Sequence, residues 1–168
     1  MMFTELHWAD GPWPGKLAMS ARPRGGEWLE DEVAHWRRSG IDSVLSLLEN
    51  HEELDLDLVG EATVVRCQGM QFISFPIVDR QVPESQKAFV KMLDEIETEL
   101  NGGRNVLLHC RQGIGRTGLV AACLFLARGY SAESAIERLS AGRGLPLPES
   151  AEQRLGIEQH AASLAPIR

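Results

Sequence analysis

An apolar run, Val106-Leu107-Leu108, ends at His109 and is followed by Cys110-Arg111-Gln112-Gly113-Ile114-Gly115-Arg116-Thr117-Gly118 and then by a second apolar stretch. The pattern joins a strand to a helix through a short loop that carries one thiol. Such a loop is suited to an anion. Backbone N–H groups of a glycine-containing turn can all point inward, the following helix adds the positive end of its dipole, and Arg116 can grip two oxygens of a tetrahedral group. Cys110 would lie beneath the bound phosphorus, and the field that holds the anion also favours thiolate over thiol. Gly113 and Gly115 relieve crowding where backbone must approach oxygen atoms. Arg111 broadens the positive mouth, whereas Gln112 and Ile114 are neutral. A buried cysteine that merely ends a strand is the ordinary fate of a free thiol, but it would explain neither Arg116 nor the glycines.

The rest of the chain alternates strand-like and helix-like stretches. Residues 15–21 read as a short edge strand, 27–38 as a helix stopped by Gly40, and 41–47 as a strand that buries Val44, Leu45 and Leu47. An acidic helical stretch follows, with Leu58, Ala62 and Val65 at helical spacing over 57–68, and then a strand at 71–75. After a proline-bracketed loop at 76–83, residues 84–100 form an amphipathic helix with Phe89, Leu93, Ile96 and Leu100 on one face. The strand 105–109 feeds the cysteine loop, and helices are expected at 117–127, 131–140 and 150–162. The order predicts an α/β fold with a central, mainly parallel sheet of four to five strands flanked by helices, ligands binding at the carboxyl ends of the strands.

A chain of 168 residues with 43% hydrophobic content is expected to form a single domain over 1–168. No apolar run is long enough to cross a bilayer, and Met1 to Asp10 lacks the basic start and apolar middle of a signal peptide, so a cytoplasmic protein is expected. Three cysteines, Cys67, Cys110 and Cys123, cannot all pair and lack metal-ligand spacing. A reducing compartment, no metal and no cofactor are the expectation, with Cys67 and Cys123 as buried packing residues. The net charge of −7 argues against nucleic-acid binding and mildly against membranes rich in phosphoinositides.

The sequence His109-Cys110, five residues, Arg116-Thr117-Gly118 resembles the signature of the cysteine-dependent protein tyrosine and dual-specificity phosphatases. Together with Phe75-Pro76-Ile77-Val78-Asp79 and Leu119-Val120-Ala121-Ala122-Cys123-Leu124, it is most similar to the cyclin-dependent kinase-associated branch and to short microbial phosphatases. Low-molecular-weight phosphatases and arsenate reductases carry the comparable loop near the N-terminus and fit less well. The resemblance implies a protein tyrosine phosphatase-like fold and a phosphomonoesterase that forms a phosphocysteine on Cys110, with Arg116 holding the phosphate and no metal. It implies that Asp79 is the general acid, on a loop at the carboxyl end of a strand; the alternative is a turn-forming aspartate, with Asp42, Asp55 and Asp57 as weaker acids. Thr117 would stabilise the departing thiolate, or cap the helix beginning there. His109 resembles the histidine that holds the loop and the thiolate through hydrogen bonds, a supporting role rather than that of an acid; the alternative is a satisfied structural histidine at a strand end.

Two further residues carry open readings. Gln153 matches a glutamine that orients the hydrolytic water in some relatives, but Ser150 to Gln153 also reads as a capping box. Arg143, read in a loop at 141–148, resembles an arginine of a second anion pocket, or is a solvated loop residue. Some relatives shield an oxidised nucleophile with a second cysteine, which Cys67 could do only if folded close to Cys110. The implied substrate is a phosphoprotein, with phosphate or sulfate able to occupy the site, and the chain is expected to be a monomer. An RNA 5′-triphosphatase, a phosphoinositide phosphatase and a catalytically idle phosphate-binding module remain as alternatives.

Overall fold

The computed structural model describes residues 2–164. Strands His7–Ala9 (β1), Leu17–Ser20 (β2), Ser43–Ser46 (β3), Gln71–Ser74 (β4) and Val106–His109 (β5) form one sheet in the order β1-β2-β5-β3-β4. The last four strands in that order are parallel, and β1 is antiparallel to β2. The helices are Leu29–Arg38 (α1), Asn50–Asp55 (α2), Glu61–Cys67 (α3), Gln86–Asn101 (α4), Gly115–Leu126 (α5), Ala132–Arg143 (α6) and Ala151–Leu164 (α7).

Successive strand residues face opposite sides of the sheet, and both sides are covered. Leu17, Met19, Leu45, Val106 and Leu108 pack into the core with Phe89 and Ile96 of α4 and the apolar α5. Ala18, Val44 and Leu107 enter a second core with Val33 and Trp36 of α1 and Val65 of α3. α5 is buried along its whole length, which is why its sequence is apolar on every face after the first turn. Serine hydroxyls start α4 and α6: Ser85 Oγ accepts from Ala88 N, and Ser131 Oγ from Ser134 N, both at 3.1 Å.

Several boundaries differ from the sequence reading. β2 is not an edge strand, because β1 covers its outer side and all four of its residues are buried. The acidic stretch divides into α2 and α3 at a turn where Asp57 takes φ +56°. α5 begins at Gly115, two residues before Thr117, so Thr117 is inside the helix and does not cap it. α6 runs on to Arg143 and ends at Gly144 with φ +84°, which places Arg143 in a helix rather than a loop.

The register levels the strand ends. Ser20 and Ser46 both lie opposite His109, and Ser74 lies opposite Ser46. Segments leaving β2, β3, β4 and β5 therefore start from one rim.

Candidate active site

The cysteine loop leaves β5 at that rim, and its four successive carbonyls from Cys110 to Gly113 are each tethered. His109 Nδ1 lies 3.3 Å from Cys110 O, and Arg22 N donates to Arg111 O at 3.2 Å. Arg143 Nη2 donates to Gln112 O at 3.0 Å and Arg143 Nε to Gly113 O at 3.2 Å. In a planar trans peptide the carbonyl and the next N–H point in opposite directions, so the amides of Arg111 to Ile114 turn the other way. The result is a nest of N–H groups next to the N-terminus of α5. Gly113 is required here: its φ is +73°, and a Cβ would lie 2.4 Å from the Ser20 carbonyl.

Cys110 is buried, and Thr117 Oγ1 donates to its sulfur at 3.0 Å. The Thr117 hydroxyl is thus turned to the Cys110 sulfur. Arg116 is also buried, and its guanidinium is fixed by Glu52 of α2 through two bonds, Nη1 to Oε2 at 2.7 Å and Nη2 to Oε1 at 2.8 Å. Nη1 also donates to Ile77 O at 2.9 Å. Nε has no hydrogen-bond partner among the described residues, although it is buried. A buried donor of this kind is costly unless a ligand satisfies it. Burial opposes ionisation of Glu52, but the hydrogen bonds from Arg116 and the capping-box N–H of Glu49 outweigh it and hold the carboxyl below its ordinary range.

Asp79 sits on the loop after β4, half exposed, with Oδ1 3.3 Å from Arg116 Nη2. That distance puts its carboxyl within reach of any group the guanidinium holds. The loop is pinned to the start of α7: Ser150 Oγ donates to Arg80 O at 2.7 Å, Gln153 Nε2 to Gln81 O at 3.3 Å, and Arg80 pairs with Glu149 at 3.2 Å. Gln153 forms the capping box with Ser150 and spends its amide on the loop that carries Asp79. Its Oε1 also borders the cysteine loop, 2.8 Å from where a Cβ on Gly115 would be.

Of the alternative acids, Asp42 lies at the opposite end of the sheet, where it binds Asn105 N at 2.8 Å and Arg37 at 3.1 Å. Asp55 ends α2, and Asp57 lies in the turn before α3, accepting from Gly26 N on its carbonyl. Arg143 gives its third donor to His7 Nε2 at 3.0 Å, so its guanidinium clamps loop and hairpin rather than standing free in solvent. Burial, and then the charge of Arg143, lower the His7 pKa, which keeps that ring able to accept. Arg111 is half exposed at the mouth, 3.9 Å from Glu52, and Gln112 is exposed beside it. Among the described residues no three His, Cys, Asp or Glu side chains converge as a metal site would require. Cys123 is buried, its thiol pushed up to about 12 by burial. Cys67 is exposed, contrary to expectation, and lies six residues along α3 from Glu61, the residue that touches His109. A helix rises about 1.5 Å per residue, so roughly 9 Å of helix separates Cys67 from that contact.

Two residues of this site have no counterpart in the sequence reading, Glu52 and Glu61. Each is only 1–2% exposed inside a strongly acidic stretch. The available signal was position: Glu61 shares the buried helical stripe of Leu58 and Val65, where a charge requires a partner.

Sheet order, levelled rim and thiol-bearing phosphate loop together define the class of α/β cysteine-phosphatase domains. Residues 18–130 match a family described as "Tc-R-P: Polymorphic toxin system, DSP-PTPase phosphatase", and the chain belongs to that family, within the dual-specificity phosphatase superfamily. It is 38% identical over 118 residues to rat "Cyclin-dependent kinase inhibitor 3", covering 69% of this chain and 55% of that protein. It is 39% identical over 57 residues to "Putative tyrosine phosphatase 197R" of Invertebrate iridescent virus 6, covering 32% and 21%. The matched stretches thus span about half or less of these curated relatives. Among solved structures, a kinase associated phosphatase with its catalytic-site cysteine substituted by serine superposes with a TM-score of 0.89 at 21% identity, covering 98% of this chain and 97% of that one, a likeness of fold. "Tk-PTP in the active form" superposes with a TM-score of 0.78 at 26% identity, covering 95% and 97%.

Proposed function

We propose that the chain is a cysteine-dependent protein phosphatase that hydrolyses phosphotyrosine, and also phosphoserine and phosphothreonine, through a phosphocysteine. The observation that carries this reading is the pairing of Thr117 Oγ1 with Cys110 Sγ beside a buried guanidinium whose Nε is unsatisfied. The Cys110 thiolate attacks phosphorus, an S–P bond forms, and the P–O bond to the leaving group breaks as Asp79 gives that oxygen its proton. Water then attacks phosphorus, Asp79 takes a proton back, and the S–P bond breaks to release inorganic phosphate, with the Thr117 hydroxyl donating to the departing sulfur. The amide nest and Arg116 hold the equatorial oxygens throughout.

No metal takes part in this scheme, and the net charge of −7 favours phosphoprotein over nucleic-acid or lipid substrates. None of the described helices is long and apolar enough to cross a membrane. We place the enzyme in the cytoplasm, acting as a monomer. Replacing Cys110 by Ser should abolish turnover and preserve binding of phosphopeptide. A panel of phosphopeptides, triphosphate-ended RNA and inositol lipids turned over by the wild type and trapped on this variant checks both chemistry and substrate class. Substantial turnover by Cys110→Ser would end the covalent reading, and preference for RNA or lipid would end the substrate assignment.

A further inference from the structure

Beside the cysteine loop lies a buried polar pair, of which one member, Glu61, has no task in this phosphatase reading. His109, fully buried at the end of β5, meets Glu61 of α3, itself 1% exposed, with Nε2 2.5 Å from Oε1. The other ring nitrogen is 3.3 Å from the carbonyl oxygen of Cys110. A carbonyl only accepts, so Nδ1 carries a proton, and Nε2 faces the Glu61 carboxyl group. Trp36 of α1 packs against the ring with centroids 5.9 Å apart, which fixes its plane.

We propose that Glu61 is a positioning residue for the nucleophile: by keeping both nitrogens of His109 protonated, it holds a positive ring against the Cys110 peptide and so favours the sulfur anion. The inference rests on the phosphocysteine reading and adds a residue to it. The orientation matters, because the ring is the member of the pair that touches the Cys110 peptide and the carboxylate lies on its other nitrogen, so the pair presents its positive end to that peptide. Burial works against a charge on His109, but Glu61, through its charge and its hydrogen bond, outweighs it and raises the ring's pKa, with smaller help from the Cys110 carbonyl and Glu53. The charged groups around the ring are thus Glu61 on α3 and Glu53 on α2. The cation acting on the sulfur is Arg116, which carries Glu52 and Asp79 on its own guanidinium, with Arg111 3.9 Å from Glu52. Glu61 Oε2 is buried without a partner among the described residues, beside a cavity of about 240 Å³ shared with Glu53, Arg66 and Ser74. Burial, followed by the charge of Glu61, raises the Glu53 pKa.

The test is Glu61→Gln, an isostere that leaves the helix and the contact but removes the charge. The rate of Cys110 alkylation by iodoacetamide and kcat/KM for a phosphopeptide are followed against pH. Both acid limbs should move up together by about one pH unit, roughly a tenfold loss of rate below the limb, with KM little changed. Glu61→Asp should fall between the variant and the wild type. Superimposable profiles in a folded Glu61→Gln protein would overturn the inference while the wild type remained fully active, whereas a wild type without turnover would refute the phosphatase reading instead. Should Glu61→Gln fail to fold, nitrogen-15 shifts of labelled histidine in the wild type decide the matter. Two protonated ring nitrogens on His109 at pH 7 are expected, and a neutral ring there would overturn the proposal.

Discussion

Arg116 is the residue on which chemistry and stability meet. A buried guanidinium is tolerable only when its donors are paired, and here Glu52 supplies two bonds in fork geometry. Glu52→Ala should therefore cost about 3–5 kcal/mol in denaturant unfolding, the range for leaving one member of a buried pair alone, and should lower kcat as the guanidinium loses its aim. The pH dependence follows from the depressed native pKa of Glu52. Its contribution is complete above the ordinary carboxylate value near 4.5 and is lost as pH falls through the lower native value, so the wild type and Glu52→Ala should converge in stability in strong acid. Asp79 makes a different prediction. If it protonates the leaving oxygen, Asp79→Asn should slow aryl phosphates more as the pKa of the leaving phenol rises, and a uniform effect across such a series would remove the assignment. At this scale the loop from Cys110 to Arg116 was legible as an anion loop because its covalent geometry is local, whereas Thr117 and Asp79 were singled out by resemblance, and the fold puts Asp79 3.3 Å from Arg116. Glu52 was not legible, because surrounding acidic residues such as Glu49, Glu53 and Asp55 give the same composition whether a carboxylate is solvated or buried; Glu61 was marked only by its place on the stripe of Leu58 and Val65.

The elements act on one another through the cysteine loop. α6 ends at Arg143, whose three donors reach two loop carbonyls and His7 of β1, so a helix end and an outer strand together set the direction of the amides. Arg143→Lys replaces a planar fork by a point charge that cannot span those acceptors. We expect kcat to fall by about tenfold to a hundredfold, less than the roughly hundredfold to thousandfold loss on removing an oxyanion donor outright, with a smaller change in KM; burst kinetics on an aryl phosphate would measure it. This clamp was not legible in the sequence. β1 has three residues, too few for alternation to register, and without it residues 15–21 look like an edge. α4, with Phe89, Leu93, Ile96 and Leu100 all buried, was legible because sixteen residues give the period room to repeat. The break between α2 and α3 depends on a left-handed turn at Asp57, a non-glycine residue that announces nothing.

For the whole molecule, a ligand that occupies the amide nest should stabilise the fold by mass action. Inorganic phosphate or sulfate at a hundred times its dissociation constant should add about 2.7 kcal/mol, visible as a rise in Tm. The rise should persist in Cys110→Ser and vanish in Arg116→Ala, while EDTA should change neither Tm nor rate. The α/β class and parallel core were foreseeable from alternating periods, since each strand of a doubly covered sheet must be apolar on both faces. Sheet order is set by packing between distant segments and left no mark in local pattern.

The anchoring of Arg116 has an evolutionary corollary. Its guanidinium ties α2, the turn after β4 and the first turn of α5 into one knot at the rim. A lineage that abandoned catalysis and kept phosphate recognition could shed the sulfur at little structural expense, yet would retain the arginine and its glutamate as architecture, so their presence in a relative says less about turnover than the identity of the atom beneath them.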